Sequence, residues 1–361
     1  MDIFRRFRRQ TPATPEAAPP AGGPPRISLA LQGGGAHGAF QWGVLDLLLE
    51  DGRVEIGAVT AASAGAMNAI ALAAGLGEDG PKGARERLDR FWRAVNQAGG
   101  RNVFGDSALW TAALNPSWLQ ANPFYKRMEA MMLSASPYEF NPFNHNPLRA
   151  VLQETINFDA VRAAPIDVFI SATDVLAGRQ KVFTRDELGP EQVLASAALP
   201  YLFHAETVEG RAYWDGGYLG NPALWPLIQA ERTCDILLVT LNPFERADLP
   251  RTAGDIVDRL NEITMNAPLV AELRAIGFVQ RLIEEDQLTP AARAHYQPMY
   301  VHAILADQAL ADLSLGSKFD TEWSFLLDLK ARGRKAAADW LAAHVEEVGV
   351  RSSFEVNARF G

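Results

Sequence analysis

The stretch Val59-Thr60-Ala61-Ala62-Ser63-Ala64-Gly65-Ala66-Met67-Asn68 constrains this chain more than any other. The apolar run Ile56–Thr60 predicts a short strand, and the small-residue run Ala64–Leu76 predicts a helix. Ser63 stands at the joint. A serine on a sharp strand-to-helix turn has its hydroxyl exposed beside a helix N-terminus, whose positive end favours developing negative charge. The pattern is one residue short of G-x-S-x-G: Gly65 supplies the second glycine, and Ala61 stands in place of the first. That position is tight, and alanine adds one methyl there.

Two other stretches belong with it. Upstream, the apolar run Ile27-Ser28-Leu29-Ala30-Leu31 is followed by Gln32-Gly33-Gly34-Gly35-Ala36-His37-Gly38, and downstream lies Tyr213-Trp214-Asp215-Gly216-Gly217. In this order and strand context, the three segments resemble the patatin-like phospholipases: a glycine-rich oxyanion loop, a serine elbow, then Asp-Gly-Gly. The resemblance spans roughly residues 26–245, and the helical tail is similar to that of bacterial members. It implies an α/β chain with a patatin-like three-layer fold, a central, mostly parallel sheet and a helical C-terminal extension. It also implies a Ser-Asp dyad, with Asp215 taking the Ser63 proton directly, and no metal or other cofactor. The substrate it implies is a phospholipid or another acyl ester.

The residues can be weighed beside that resemblance. An ester hydrolase needs an activated nucleophile, a base and an oxyanion site. Ser63 is the candidate nucleophile. The six histidines, His37, His145, His204, His295, His302 and His344, follow no pattern of a triad base. Asp215, taken alone, is a carboxylate at a Gly-Gly turn after a strand, and solvated Asp-Gly turns are common. A carboxylate whose pKa lies well below 7 is a weak base, so burial or hydrogen bonding is expected to tune it. Backbone N–H groups of Gly33, Gly34 and Gly35, with Ala64 at the helix start, are the candidate oxyanion hole. Gly38, Gly65, Gly216 and Gly217 support the motifs. Asn221-Pro222, after the Asp-Gly-Gly, also resembles the family and reads as loop structure. His37 stands where many family members carry Arg or Lys. It is either a partial, pH-dependent cation that orders the loop or an exposed loop residue without a role.

Composition narrows the partners. A net charge of -9 argues against nucleic-acid binding, which needs a basic surface. The single cysteine, Cys234, excludes an intramolecular disulfide and, just before the apolar run Ile236–Leu241, is expected to be a buried thiol. No His/Cys/carboxylate set has metal-ligand spacing. The longest apolar stretch, Ala61–Leu76, carries Ser63 and Asn68 and is shorter than the roughly 18–20 residues of a membrane span. Met1–Arg9 is basic with no apolar segment behind it, so no signal peptide is expected. A cytoplasmic location follows as the expectation, with peripheral membrane contact through residues 1–10 as the variant. In that variant Ile3, Phe4 and Phe7 line one side of a short basic helix. Otherwise residues 1–10 form a disordered basic tail.

The organisation expected is a basic, Pro/Ala-rich tail over residues 1–25, a catalytic domain over 26–245, and a mainly helical part over 246–361 packed on it. Helices are predicted over Phe40–Glu50, Arg85–Asn96, Thr252–Glu285 and Asp320–Val348, and further strands at Ile166–Thr173, Asp235–Leu241 and Met299–Ile304. Residues 100–147 read as an irregular, aromatic-rich insertion, either a lid or acyl-chain wall or ordinary packing. The same residues admit two rival functions. Gly33, Gly35 and Gly38 satisfy G-x-G-x-x-G, but Glu55 precedes the second strand where a dinucleotide site wants an acid at its end, so no nucleotide cofactor is expected. A non-catalytic lipid-surface or scaffolding protein of the same fold is the rival that Ala61 favours. An esterase of neutral lipid, thioester or polyester is the substrate alternative.

Overall fold

The computed structural model describes residues 23–100, 136–230, 233–293, 296, 298–313 and 315–361. The basic segment 1–10, the linker up to residue 22, the aromatic stretch from Trp110 to Met132, and His295 lie outside the described residues.

Among the described residues eight strands form one sheet: β1 (Arg26–Leu31), β2 (Glu55–Ala61), β3 (Asp167–Asp174), β4 (Arg179–Thr184), β5 (Glu206–Val208), β6 (Arg211–Asp215), β7 (Asp235–Val239) and β8 (Tyr300–Ile304). Five of them, in the order β3-β2-β1-β7-β8, pair in parallel. The other three make an antiparallel margin: β4 and β6 both pair with β3, and β5 pairs with β6. The fold is therefore α/β with a mixed, mostly parallel central sheet.

Alternation along the pleat sorts the strand residues into two cores. Ile27, Leu29, Leu31, Val59, Leu237 and Val239 face α1 (Gly38–Asp51), α2 (Ala64–Gly100) and, from the far end of the chain, the helix Trp323–His344. Ala30, Ala58, Ile236, Leu238 and Val301 face the other way, against Leu269, Leu273 and Ile276 of the long helix Ala253–Glu284. Both faces of the parallel strands are thus covered, which is why these strands read as nearly unbroken apolar runs. Each fully enclosed Leu or Ile contributes about 1.5–3 kcal/mol relative to exposure.

The C-terminal part is built into this arrangement. It supplies β8 at the sheet edge, one helix to each face, and the 3₁₀ turn Leu315–Phe319 that reaches the glycine loop. Within α2 the helices predicted at Ala64–Leu76 and Arg85–Asn96 are two separate helices, divided where Asp79 and Gly80 leave helical dihedrals ahead of Pro81. Cys234 is half-buried, not enclosed as expected, because it precedes β7 at the rim of the sheet. No helix among the described residues is long and apolar enough to cross a membrane.

Candidate active site

Strand register brings Ser63 and Asp215 together. β2 runs parallel to β3 and ends with Ala61 opposite Ile170. β6 runs antiparallel to β3 and ends with Asp215 opposite Ala172. β4 occupies the other edge of β3 at these same residues. So β2 and β6 lie end to end along one edge of β3, with their C-terminal ends pointing at each other. Ser171, between the two register positions, ties the junction. Its hydroxyl is 3.1 Å from the Ala61 carbonyl oxygen and 2.8 Å from that of Gly220.

Past Ala61 the chain turns through Ser63 into α2. Ser63 has φ of +52°, the left-handed region, which costs a non-glycine residue about 1–3 kcal/mol. Hydrogen bonds hold it there. Its N–H donates to Ser196 Oγ at 2.9 Å, at the end of α3 (Pro190–Ser196), and its carbonyl accepts from Met67 N–H at 3.2 Å. The residue is partly exposed. Ala61 is fully enclosed in the core in an ordinary strand conformation, so its methyl group is accommodated. Gly65 is the position with no room: a side chain there would run into the Leu31 carbonyl oxygen. At Gly33, a Cβ would stand 2.8 Å from Ser63 Cβ, so the glycine loop crosses directly over the serine.

The oxyanion candidates are not equivalent. The Gly33 N–H donates to Asn221 Oδ1 at 2.7 Å, so this group, expected in the oxyanion hole, has a protein acceptor instead. The N–H groups of Gly34, Gly35 and Ala64 have no acceptor among the described residues. Gly34 leads into the 3₁₀ turn Gly35–His37, and Gly38 starts α1, its carbonyl accepting from Asn68 Nδ2 at 2.9 Å.

Asp215 closes β6 and caps the 3₁₀ turn Gly216–Tyr218: its Oδ1 accepts from Gly217 N–H at 2.7 Å. The residue is 2% exposed. Burial pushes its carboxyl up to about 6, against the opposing pull of the Gly217 N–H, the Ser63 hydroxyl and the Lys318 charge. Asp215 Oδ2, however, has no partner in full hydrogen-bond geometry. Serine and carboxylate are neighbours, then, without being closed onto each other.

His37 departs from both of its expected roles. It is 3% exposed, its Nε2 sits 2.7 Å from Ser317 Oγ, and its Nδ1 has no hydrogen-bond partner. Burial drives its pKa down to about 3, so at neutral pH it is an uncharged imidazole, neither a loop-ordering cation nor a free surface group. A Ser-His-Asp string does occur elsewhere, with His302 Nδ1 2.8 Å from Ser353 Oγ and its Nε2 3.0 Å from Asp235 Oδ1. It lies towards the opposite end of the parallel strands from Ser63 and fastens the C-terminal segment to β8.

The role of the residues that hold the loop has no sequence signal. Asn221, which reads as loop structure, accepts from Gly33. Gln32 Oε1 accepts from the N–H groups of Leu241 and Asn242 at 2.7 and 2.8 Å, and Gln32 Nε2 donates to Asn266 Oδ1 at 2.8 Å. These buried amides come from four separate segments and follow no period, so only their enclosure reveals them.

Residues 29–228 match the sequence profile of the family described as patatin-like phospholipase. The chain belongs to that family. Over 223 residues it is 27% identical to uncharacterized NTE family proteins of Mycobacterium tuberculosis and Mycobacterium bovis, a match covering 61% of this chain and 50% of each relative. The chain thus spans about half the length of those relatives. Among solved structures it is similar to VipD from Legionella pneumophila, with 16% identity, a TM-score of 0.41, and coverage of 89% of this chain and 67% of that one. The patatin-like match takes in the glycine loop, the Ser63 turn and Asp215, and it ends before β7 and Lys318.

Proposed function

We propose that this protein is a lipid acyl hydrolase of the phospholipase A or lysophospholipase type, working through Ser63 and Asp215. One observation carries the reading: a buried carboxylate with an unpartnered oxygen lies beside a strained serine at a helix N-terminus. The Ser63 hydroxyl attacks the acyl carbonyl and gives its proton to Asp215. Negative charge on the carbonyl oxygen is met by the N–H groups of Gly34, Gly35 and Ala64. The tetrahedral intermediate expels the alcohol, which takes the proton from Asp215 and leaves an acyl-serine. Water then gives a proton to Asp215 and attacks the acyl-serine; as the acyl–oxygen bond breaks, Asp215 returns that proton to Ser63 Oγ, releasing fatty acid and restoring both residues. A carboxyl that ionises near pH 6 is charged at neutral pH and far more basic than an ordinary aspartate. Family membership supports the lipid acyl ester as substrate.

Fatty-acid release from phosphatidylcholine vesicles and lysophosphatidylcholine micelles, at pH 7.5 with a chelator present, tests this. Release is expected from at least one of the two, falling away as pH drops through about 6. Binding to both lipids with release from neither would replace this reading with the lipid-surface binding protein.

A further inference from the structure

The glycine loop is gripped from behind by a residue far outside the matched segment. The turn Leu315–Phe319 packs on the turn Gly35–His37: Ser317 meets His37, and the Lys318 carbonyl fills the space where a side chain at Gly35 would stand. The Lys318 side chain then extends along the loop. Its Nζ donates to Asn242 Oδ1 at 2.6 Å and, at longer range, approaches Asn261 Oδ1 at 3.5 Å. Asn242 Nδ2 in turn donates to the Gly33 carbonyl oxygen at 3.0 Å. Ammonium, amide and loop carbonyl thus form a continuous chain, and each link polarises the next.

The far end of that chain matters because of the peptide plane. The Gly33 carbonyl and the Gly34 N–H belong to one planar, trans unit and point in opposite directions. Fixing the carbonyl on Asn242 therefore aims the Gly34 N–H away from it. We propose that Lys318 is a positioning residue for the Ser63 reaction: through Asn242 it fixes the Gly33–Gly34 peptide so that the Gly34 N–H is preorganised for the oxyanion. This rests on the dyad reading above.

The surroundings of Lys318 keep it charged at neutral pH. Burial lowers its pKa to about 8, while Glu262 and Asp258 from the helix Ala253–Glu284 and Asp215 from β6 favour the ammonium, and Arg246 opposes it. Glu262 itself is ion-paired with Arg246 and Arg259. On the loop side stands His37, uncharged. Tyr218 and the Ser63 hydroxyl are the other titratable or polar side chains facing Asp215. The Lys318 charge lowers the Asp215 pKa, so removing it raises that pKa and moves the acid limb of activity to higher pH.

The test is the pH dependence of p-nitrophenyl ester hydrolysis by the full chain, compared with Lys318→Met, Lys318→Arg and Ser63→Ala. Lys318→Met is expected to lose kcat on the order of tenfold to a hundredfold, with KM changed by less than about twofold and the acid limb of kcat/KM shifted upward. Lys318→Arg is expected to recover most of kcat and to keep the limb in place. A Lys318→Met protein with unchanged kcat and limb would overturn the proposal, as would Met and Arg variants equally slow with neither limb moved. If Lys318→Met does not fold, Lys318→Gln carries the same expectations. Full activity in Ser63→Ala would instead remove the dyad reading on which the proposal stands.

Discussion

Ser63→Gly is expected to give a protein that no longer hydrolyses esters and yet unfolds at higher denaturant. The two effects share one cause, the left-handed backbone of the turn. At φ of +52° a serine Cβ is crowded by its own backbone. Glycine adopts that conformation without strain but costs more backbone entropy on folding. The net gain is about 1 kcal/mol, readable as a higher urea midpoint. Loss of the nucleophile lowers turnover by roughly 10⁴ or more. Ser63→Ala loses the same activity without the stability gain, since alanine keeps the Cβ. If glycine were no more stable than alanine at this position, the strain attributed to the elbow would be absent.

Asp215→Asn is expected to lose turnover by about 10³–10⁴ and to stabilise the fold, but only above acid pH. The Asp215 carboxyl titrates near 6 in the folded chain against an ordinary value of 3.8. Below about 3.8 both folded and unfolded states hold the proton, and the aspartate carries no penalty. As pH rises, the unfolded chain releases its proton first, and by pH 7 the folded state is disfavoured by about 3 kcal/mol. Asparagine removes that penalty. The thermal midpoint of Asp215→Asn should exceed that of the native chain at pH 7 and converge with it near pH 3.5. A constant difference at all pH values would show that the gain does not come from the carboxylate's ionisation.

Much of this site is legible in the chain because its parts are local. The strand before Ser63, the helix after it, the glycines after β1 and the Gly-Gly after Asp215 each need only neighbouring residues to take shape. What brings them together is not local. That β2 and β6 meet end to end along β3 follows from a register between strands far apart in sequence, and β5, only three residues long, leaves no periodic signal. His37 illustrates the same limit. In sequence it is one histidine after three glycines, and only the packing of the turn Leu315–Phe319 over it makes it an enclosed, neutral imidazole. Gly33 reads in the sequence like its neighbours, as an N–H donor to substrate, and the acceptor that claims it, Asn221, follows β6 in a loop. The helices at Ala64–Leu76 and Arg85–Asn96 are legible for the same local reason, and the break between them falls at Asp79-Gly80.

The most direct test of the central claim is labelling the purified chain with a fluorophosphonate probe and locating the adduct by peptide mass spectrometry. A Ser63–Asp215 dyad predicts an adduct on Ser63 in the native protein and little or none in Asp215→Asn under the same conditions. An Asp215→Asn protein labelled on Ser63 as fast as the native one, or a folded native protein with no adduct on Ser63, would contradict it.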